Sequence, residues 1–293
     1  MPVQASDRMP LTQEPHQTAS PLAGFGIERV CGAAPLWNER LTVDEHGAVR
    51  LRTLRSLSDA SGVPIGVFAR QDDREVLARL LQALDEMTWP AAPTLAPRPY
   101  ELHVRLSLMI GGELRTITIP AKPQLLAPLS PLLDLLDLLT IEALQHPKHS
   151  LVLSAECDLP RRQGLQDLTI ALTLRNDGDS GYWIPSPSGA TGDETVSCAL
   201  SYSVLPQPAP GVTPLPVVAR TAVLSPVTAP EQSLIWIRPC STHALILRTQ
   251  VDLDRAGPWS ARVGFASYSG EDTIAGRPRM RGCAFSNEVR ICV

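Results

Sequence analysis

Leu165-Gln166-Asp167-Leu168-Thr169-Ile170-Ala171-Leu172-Thr173-Leu174-Arg175, closed by Asn176-Asp177-Gly178-Asp179, is the stretch that decides the fold. Leu168, Ile170, Leu172 and Leu174 recur at every second position, the period of a strand with one buried face. Asn, Asp and Gly then supply the turn. The pattern repeats downstream. Strands are expected over 151–157, 165–175, 196–204, 215–224, 234–238, 244–252, 259–267 and 284–293. Turn-rich pieces at 176–179, 185–192, 206–214 and 270–281 divide them. No helical or solenoid period appears. Short strands with regular turn signals predict an all-β sandwich over 150–293.

Upstream of residue 150 the texture is mixed. Residues 1–26 are polar and Pro-punctuated, and read as a disordered tail. Ile27 to Cys31 is a short strand, and 32–38 reads as a loop. Leu41 and Val43, then Val49 and Leu51, alternate around Asp44-Glu45-His46-Gly47, which predicts a hairpin. Residues 62–68 suit another strand. Asp72 with Glu75 has the spacing of a capping box, and Val76, Leu80, Leu84 and Met87 share a helix face. Tyr100, Leu102, Val104, Leu106 and Leu108 alternate with polar residues, and Gly111-Gly112 turns that strand into 114–119. Ser130-Pro131 opens a leucine-rich helix whose polar stripe is Asp134, Asp137 and Thr140. Such a helix is expected to be buried between the two halves. The expected layout is an α+β domain over 27–149, with two β-hairpins and two helices, followed by the sandwich.

Composition excludes several classes. The chain has 293 residues and a formal charge of −4, with no basic run of the kind a nucleic-acid binder presents. No membrane span and no secretory leader are expected, so the default location is the cytoplasm. The six cysteines, Cys31, Cys157, Cys198, Cys240, Cys283 and Cys292, form no CxxC pair and read as reduced thiols.

Chemical motifs are sparse. His146-Pro147-Lys148-His149 spaces two histidines, but Pro147 breaks the helix that would aim them at one ion. Cys240-Ser241-Thr242-His243 lacks further ligands nearby. No GxSxG elbow, phosphate loop or carboxylate pair with separated environments is present. The 176–179 turn could offer oxygen ligands to calcium, but a plain turn is the preferred reading, since Asn, Asp and Gly favour turns on their own. No catalytic residue, metal or cofactor is therefore expected. The candidate partner-binding residues are aromatics and their neighbours on loops: Pro35, Leu36, Trp37, Asn38, Tyr182 and Trp183.

Two stretches resemble known families. Arg40-Leu41-Thr42-Val43-Asp44, Gly47-Ala48-Val49-Arg50-Leu51, Tyr100-Glu101-Leu102 and Pro128-Leu129-Ser130-Pro131-Leu132, in that order of elements, resemble emfourin, a small bacterial inhibitor of thermolysin-like metalloproteases. The family's Gly-rich turn after its first strand corresponds here to Cys31-Gly32-Ala33-Ala34-Pro35-Leu36-Trp37, which keeps one glycine. Leu168 to Gly178, Trp259 to Phe265 and Ser286 to Ile291 are similar to bacterial immunoglobulin-like modules. The resemblances imply an immunoglobulin-like sandwich and a non-catalytic protein-binding function. The partner implied is a metalloprotease, whose active site the 32–38 loop would occlude. The alternative is a structural or adhesion-type assembly module using the sandwich for subunit contacts.

Overall fold

Apolar alternation turns most of this chain into strands, and hydrogen bonding joins ten of them into one antiparallel sheet. The computed structural model describes residues 25–33, 36–54, 64–71, 73–87, 101–110, 112–158, 164–186, 194–202, 218–223, 225–226, 234–253, 258–267, 273–287 and 289–292. The first part of the chain forms β1 (Phe25–Ala33), β2 (Leu36–Val43), β3 (Val49–Thr53), β4 (Ile65–Arg70), α1 (Arg74–Glu86), β5 (Leu102–Ile110) and β6 (Glu113–Pro120). Then come α2 (Pro123–Leu126), a 3-10 turn and α3 (Ser130–Ala143). The rest is strand: β7 (Pro147–Cys157), β8 (Gly164–Asn176), β9 (Tyr182–Pro185), β10 (Glu194–Tyr202), β11 (Val218–Val223), β12 (Ser225–Pro226), β13 (Leu234–Ile237) and β14 (Ser241–Leu253). It ends with β15 (Pro258–Ser267), β16 (Thr273–Ile274), β17 (Arg277–Pro278), β18 (Gly282–Phe285) and β19 (Val289–Cys292).

The large sheet runs β12-β14-β8-β7-β4-β3-β2-β1-β5-β6. A second sheet runs β11-β10-β15-β18, with β19 also on β15, and β9–β13 and β16–β17 form ribbons. The boundary expected at 149/150 falls inside β7, which pairs with β4 on one side and β8 on the other. The two halves thus share a sheet.

Each half covers a different face of that sheet. Ile27, Leu41, Leu51 and Phe68 face Val76 and Leu80 of α1 and Leu132, Leu136 and Leu139 of α3 in one core. Leu151, Leu153, Ile170 and Leu172 face Val263, Phe265 and Ala284 of the second sheet in the other. β4 serves both, because Ile65 and Phe68 are three apart and strand side chains alternate. Ile65 joins the sandwich core and Phe68 the helical core.

Three local expectations are corrected. The cap of α1 is Asp73, whose Oδ1 accepts from the Glu75 N–H at 2.8 Å, rather than Asp72. Ser130 lies inside a helical run that starts earlier, and Leu129 takes the cap position without a side-chain bond. Helix α3 packs on β3, β4 and α1 rather than between the halves. Its polar stripe is only partly solvated. The buried Arg29 guanidinium, 4% exposed, donates to the Asp137 carboxylate, to Thr140 Oγ1 at 2.7 Å and to Glu39 at 2.9 Å, which ties α3 to β1. The whole run Pro123–Ala143 is long and apolar enough to cross a membrane, by length and composition. In this fold it forms a helical layer that buries Leu132, Leu135, Leu136 and Leu139.

Candidate functional site

Two short motifs, Arg50-Leu51-Arg52 and Arg279-Met280-Arg281, build the most distinctive site in the molecule. In each, the middle residue goes to a core: Leu51 is 0% and Met280 1% exposed. In β3, alternation then sends Arg50 and Arg52 to the opposite side. All four arginines line one cleft of ≈ 200 Å³, with Thr53 and His149. Arg50 and Arg52 come from β3 on the face away from the helices. Arg279 and Arg281 come from the segment entering β18.

Close backbone contacts bring the two motifs together. The Cys283 N–H donates to the Leu54 carbonyl at 2.6 Å, just past Arg52. Gly282 has φ 127, and a Cβ there would lie 2.2 Å from the Leu54 oxygen, so only glycine allows this approach. Gly66 does the same on the cleft floor, where a Cβ would lie 2.1 Å from the His149 carbonyl oxygen. Its N–H donates to Thr53 Oγ1 at 3.0 Å. The other wall is fixed by the Met280 N–H, which donates to the Trp183 carbonyl at 2.9 Å.

The electrostatics follow from this crowding. Burial, then Arg52 and Arg50, pushes the His149 imidazole down to about 4, against a smaller opposing pull from Asp179. Burial and then Arg281 hold Arg279 below the usual guanidinium range. Arg40, the cross-strand partner of Arg52, is ion-paired with Glu28, which is 7% exposed at its side chain. Among the described residues the cleft lining carries no carboxylate. Arg52, Arg279 and Arg281 each have other interactions of their own. Guanidinium forks match the oxygens of carboxylates and phosphates, whether the chain or a ligand supplies them.

The residues singled out from sequence fall elsewhere. Residues 32, 33 and 36–38, read as a loop, are strand: Gly32 pairs with Trp37 and Ala33 with Leu36. Pairing of β1 with β5 on its other edge explains the extension. Pro35 lies outside the described residues. Leu36 and Trp37 open β2, and Asn38 is half-buried, its carbonyl accepting from the Leu54 N–H at 2.7 Å. Tyr182 is no exposed anchor. It is 0% exposed, and its hydroxyl donates to the Ser150 carbonyl at 2.9 Å. Burial drives its phenol well above the usual range. Trp183 is half-buried in β9 against Trp236, ring centres 5.0 Å apart. Both side chains pack within the fold, Tyr182 beside His149 and Trp183 against Trp236.

The remaining candidates separate. His149 lines the arginine cleft, whereas His146 lines another hollow beside Arg70 and Lys148. In the 176–179 turn, Asn176 spends its side chain on backbone. Oδ1 accepts from the Ser150 and Gly178 N–H groups, and Nδ2 donates to the Ser180 and Arg238 carbonyls. Asp179 pairs with Lys148 at 2.9 Å and Asp177 with Arg175 at 3.0 Å, so the turn's carboxylates already have cations. Among the described residues no three His, Cys, Asp or Glu side chains gather as a metal site would require, and Cys31, Cys157, Cys240 and Cys283 form no disulfide.

Sequence inspection for basic runs misses the cleft because strand geometry, not adjacency, assembles its charge. The repeated Arg-apolar-Arg pattern was the available signal. The chain matches no protein-family model, no curated protein and no solved structure, so the reading of this cleft rests on its own chemistry.

Proposed function

We propose that this chain is a non-catalytic protein-binding protein, with an emfourin-like α+β half over 27–149 and an immunoglobulin-like sandwich half over 150–293. The lining of the seam cleft supports this reading. Its four guanidiniums stay charged at any physiological pH, and an imidazole titrating at about 4 stays neutral. Acid–base catalysis needs a group poised near the working pH, and this cleft offers fixed charge instead.

The finer reading is inhibition of a thermolysin-like metalloprotease by occlusion. The pairing of Ala33 with Leu36 supports it, since it places Leu36 and Trp37 at the start of β2, beside the end of β1. The test is titration of such a protease with the full chain, following cleavage of a peptide substrate. Stoichiometric loss of activity with the chain left intact supports inhibition. Trp37→Ala is then expected to weaken it by at least ~1 kcal/mol. Digestion of the chain, or undiminished activity, removes the inhibitor reading and favours an assembly module. Its mark is a sedimentation coefficient that rises with concentration. Product released by the chain alone would refute the non-catalytic reading.

A further inference from the structure

We infer that Asp177-Gly178 is a site of spontaneous isoaspartate formation, held shut by the folded chain and reactive when the turn after β8 opens. This goes beyond the protein-binding reading and survives its failure, because the chemistry needs no partner.

Three observations carry it. The first is the dipeptide. Asp177-Gly178 is the single Asp-Gly step in the 293 residues, and no Asn-Gly step occurs. Glycine has no side chain to shield its backbone nitrogen, so that nitrogen can attack Cγ of the preceding aspartic acid. A C–N bond forms, the nitrogen's proton and the carboxyl's hydroxyl leave as water, and a five-membered imide closes. Water then opens the ring at either carbonyl. One opening restores aspartate. The other routes the main chain through Cγ and frees the former main-chain carbonyl as a carboxylate, with no net change in mass.

The second observation is that both reactants are occupied in the fold. The Gly178 N–H donates to Asn176 Oδ1 at 3.0 Å. Arg175 Nε donates at 3.0 Å to the carboxylate that would be attacked, which is 46% exposed and so within reach of water. The backbone on either side is pinned as well. The Asp177 N–H donates to Ser150 Oγ at 3.1 Å, the Gly178 carbonyl accepts from the Cys240 N–H at 3.0 Å, and the Ser180 N–H donates to the Lys148 carbonyl at 2.8 Å. Closing the imide requires the chain to rotate between Asp177 and Gly178, so these bonds must first break. The third is that the product does not fit. A Cβ on Gly178 would lie 2.3 Å from the Lys148 carbonyl oxygen, which leaves no room beside the turn. An isoaspartyl linkage lengthens the main chain by one atom at this place. It would push Gly178 off the start of β7 and pull Asn176 from its four backbone partners. The same contacts that block the reaction are therefore the ones its product would destroy.

The test is incubation of the full chain in warm neutral buffer, folded and, in parallel, unfolded in urea. Isoaspartate at 177 is counted by a methyltransferase selective for isoaspartyl carboxyls, and placed by fragment mass spectra that separate the two linkages. Conversion is expected in urea and should be at least about tenfold slower in the folded chain, the ratio reporting the local opening of the turn. Arg175→Gln, at a side chain 56% exposed, should speed the folded reaction about two- to fivefold, the worth of an exposed ion pair. Asn176→Ala should speed it by about tenfold or more, the scale of a buried polar partner removed. Neither variant should change the rate in urea, which separates the guard from the intrinsic reactivity of the dipeptide. Asp177→Glu should abolish the product. Wild-type chain aged in urea and returned to native buffer should show a lower thermal midpoint in its isoaspartyl fraction than in its unconverted fraction. The inference is overturned by any of three results: equal rates in the folded and unfolded chain, isoaspartate appearing at Asp179-Ser180 ahead of Asp177, or folded-state rates that neither variant moves. Should Asn176→Ala fail to fold, Arg175→Gln alone decides the last of these.

Discussion

Acidification should weaken this fold in a window set by one histidine. The folded chain holds His149 at about 4, whereas an unfolded chain protonates it near 6.5. The sign follows from proton counting. Above pH 6.5 neither state binds the proton, and stability is unaffected. As pH falls from 6.5 towards 4 the unfolded state is protonated and the folded state is not, so stability drops by about 1.4 kcal/mol per pH unit. The total comes to about 3 kcal/mol, a large fraction of an ordinary domain's stability. Below pH 4 both states carry the proton and the effect levels off. His149→Gln removes the titrating group, and Arg52→Gln removes one of the two charges that depress it. Urea unfolding midpoints across this pH range should show a wild-type drop that is absent from His149→Gln and reduced in Arg52→Gln. Only the difference between the curves matters, because other titrating groups are common to all three proteins. Parallel wild-type and His149→Gln curves between pH 6.5 and 4 would refute the account of the cleft's field.

Three further outcomes follow from the packing. Arg29→Ala leaves the Glu39 carboxylate, 16% exposed, without its cation and should cost about 3–5 kcal/mol by urea unfolding, with Arg29→Met costing less if Glu39 can protonate. Asn176→Ala strands two buried N–H groups and two carbonyls, and should lower stability by about 2–4 kcal/mol without changing the strand content seen by circular dichroism. Gly282→Ala sets a Cβ against the Leu54 oxygen and should lower the thermal midpoint. A Gly282→Ala protein with a wild-type midpoint would show that the seam is not held together there.

Local physics was legible in the sequence and long-range pairing was not. The buried side of α1, with Val76 and Leu80, and the strands over 165–175 and 244–252 follow from periodicity alone. The span read as a loop at 32–38 contains no local strand signal strong enough to outweigh its Gly, Ala and Pro. Its residues 32 and 33 become strand because β5, from far along the chain, lines their other edge. The continuity of the sheet hangs on Ile65 pairing with Leu151, which no window of sequence contains. Tyr182 looked like a loop aromatic because β9 is only four residues long and its partner, β13, lies some fifty residues away. The arginine cleft escaped for a related reason. Arg50-Leu51-Arg52 is an ordinary half-buried strand on its own and Arg279-Met280-Arg281 an ordinary connector, and they form a cleft only when brought alongside each other.

The pairing of β4 with β7 also sets a schedule. During synthesis β4 emerges with β3 on one edge, while the strand that belongs on its other edge is made roughly 75 residues later. At usual elongation rates that interval is about 4–15 s. Over this time the nascent chain presents a row of bare N–H and C=O groups beside apolar Ile65, the arrangement that invites strand pairing between neighbouring chains on a polysome. Crowded translation should therefore be the moment of greatest loss for this protein, and slowing initiation, rather than cooling the finished chain, the more effective way to raise its soluble yield.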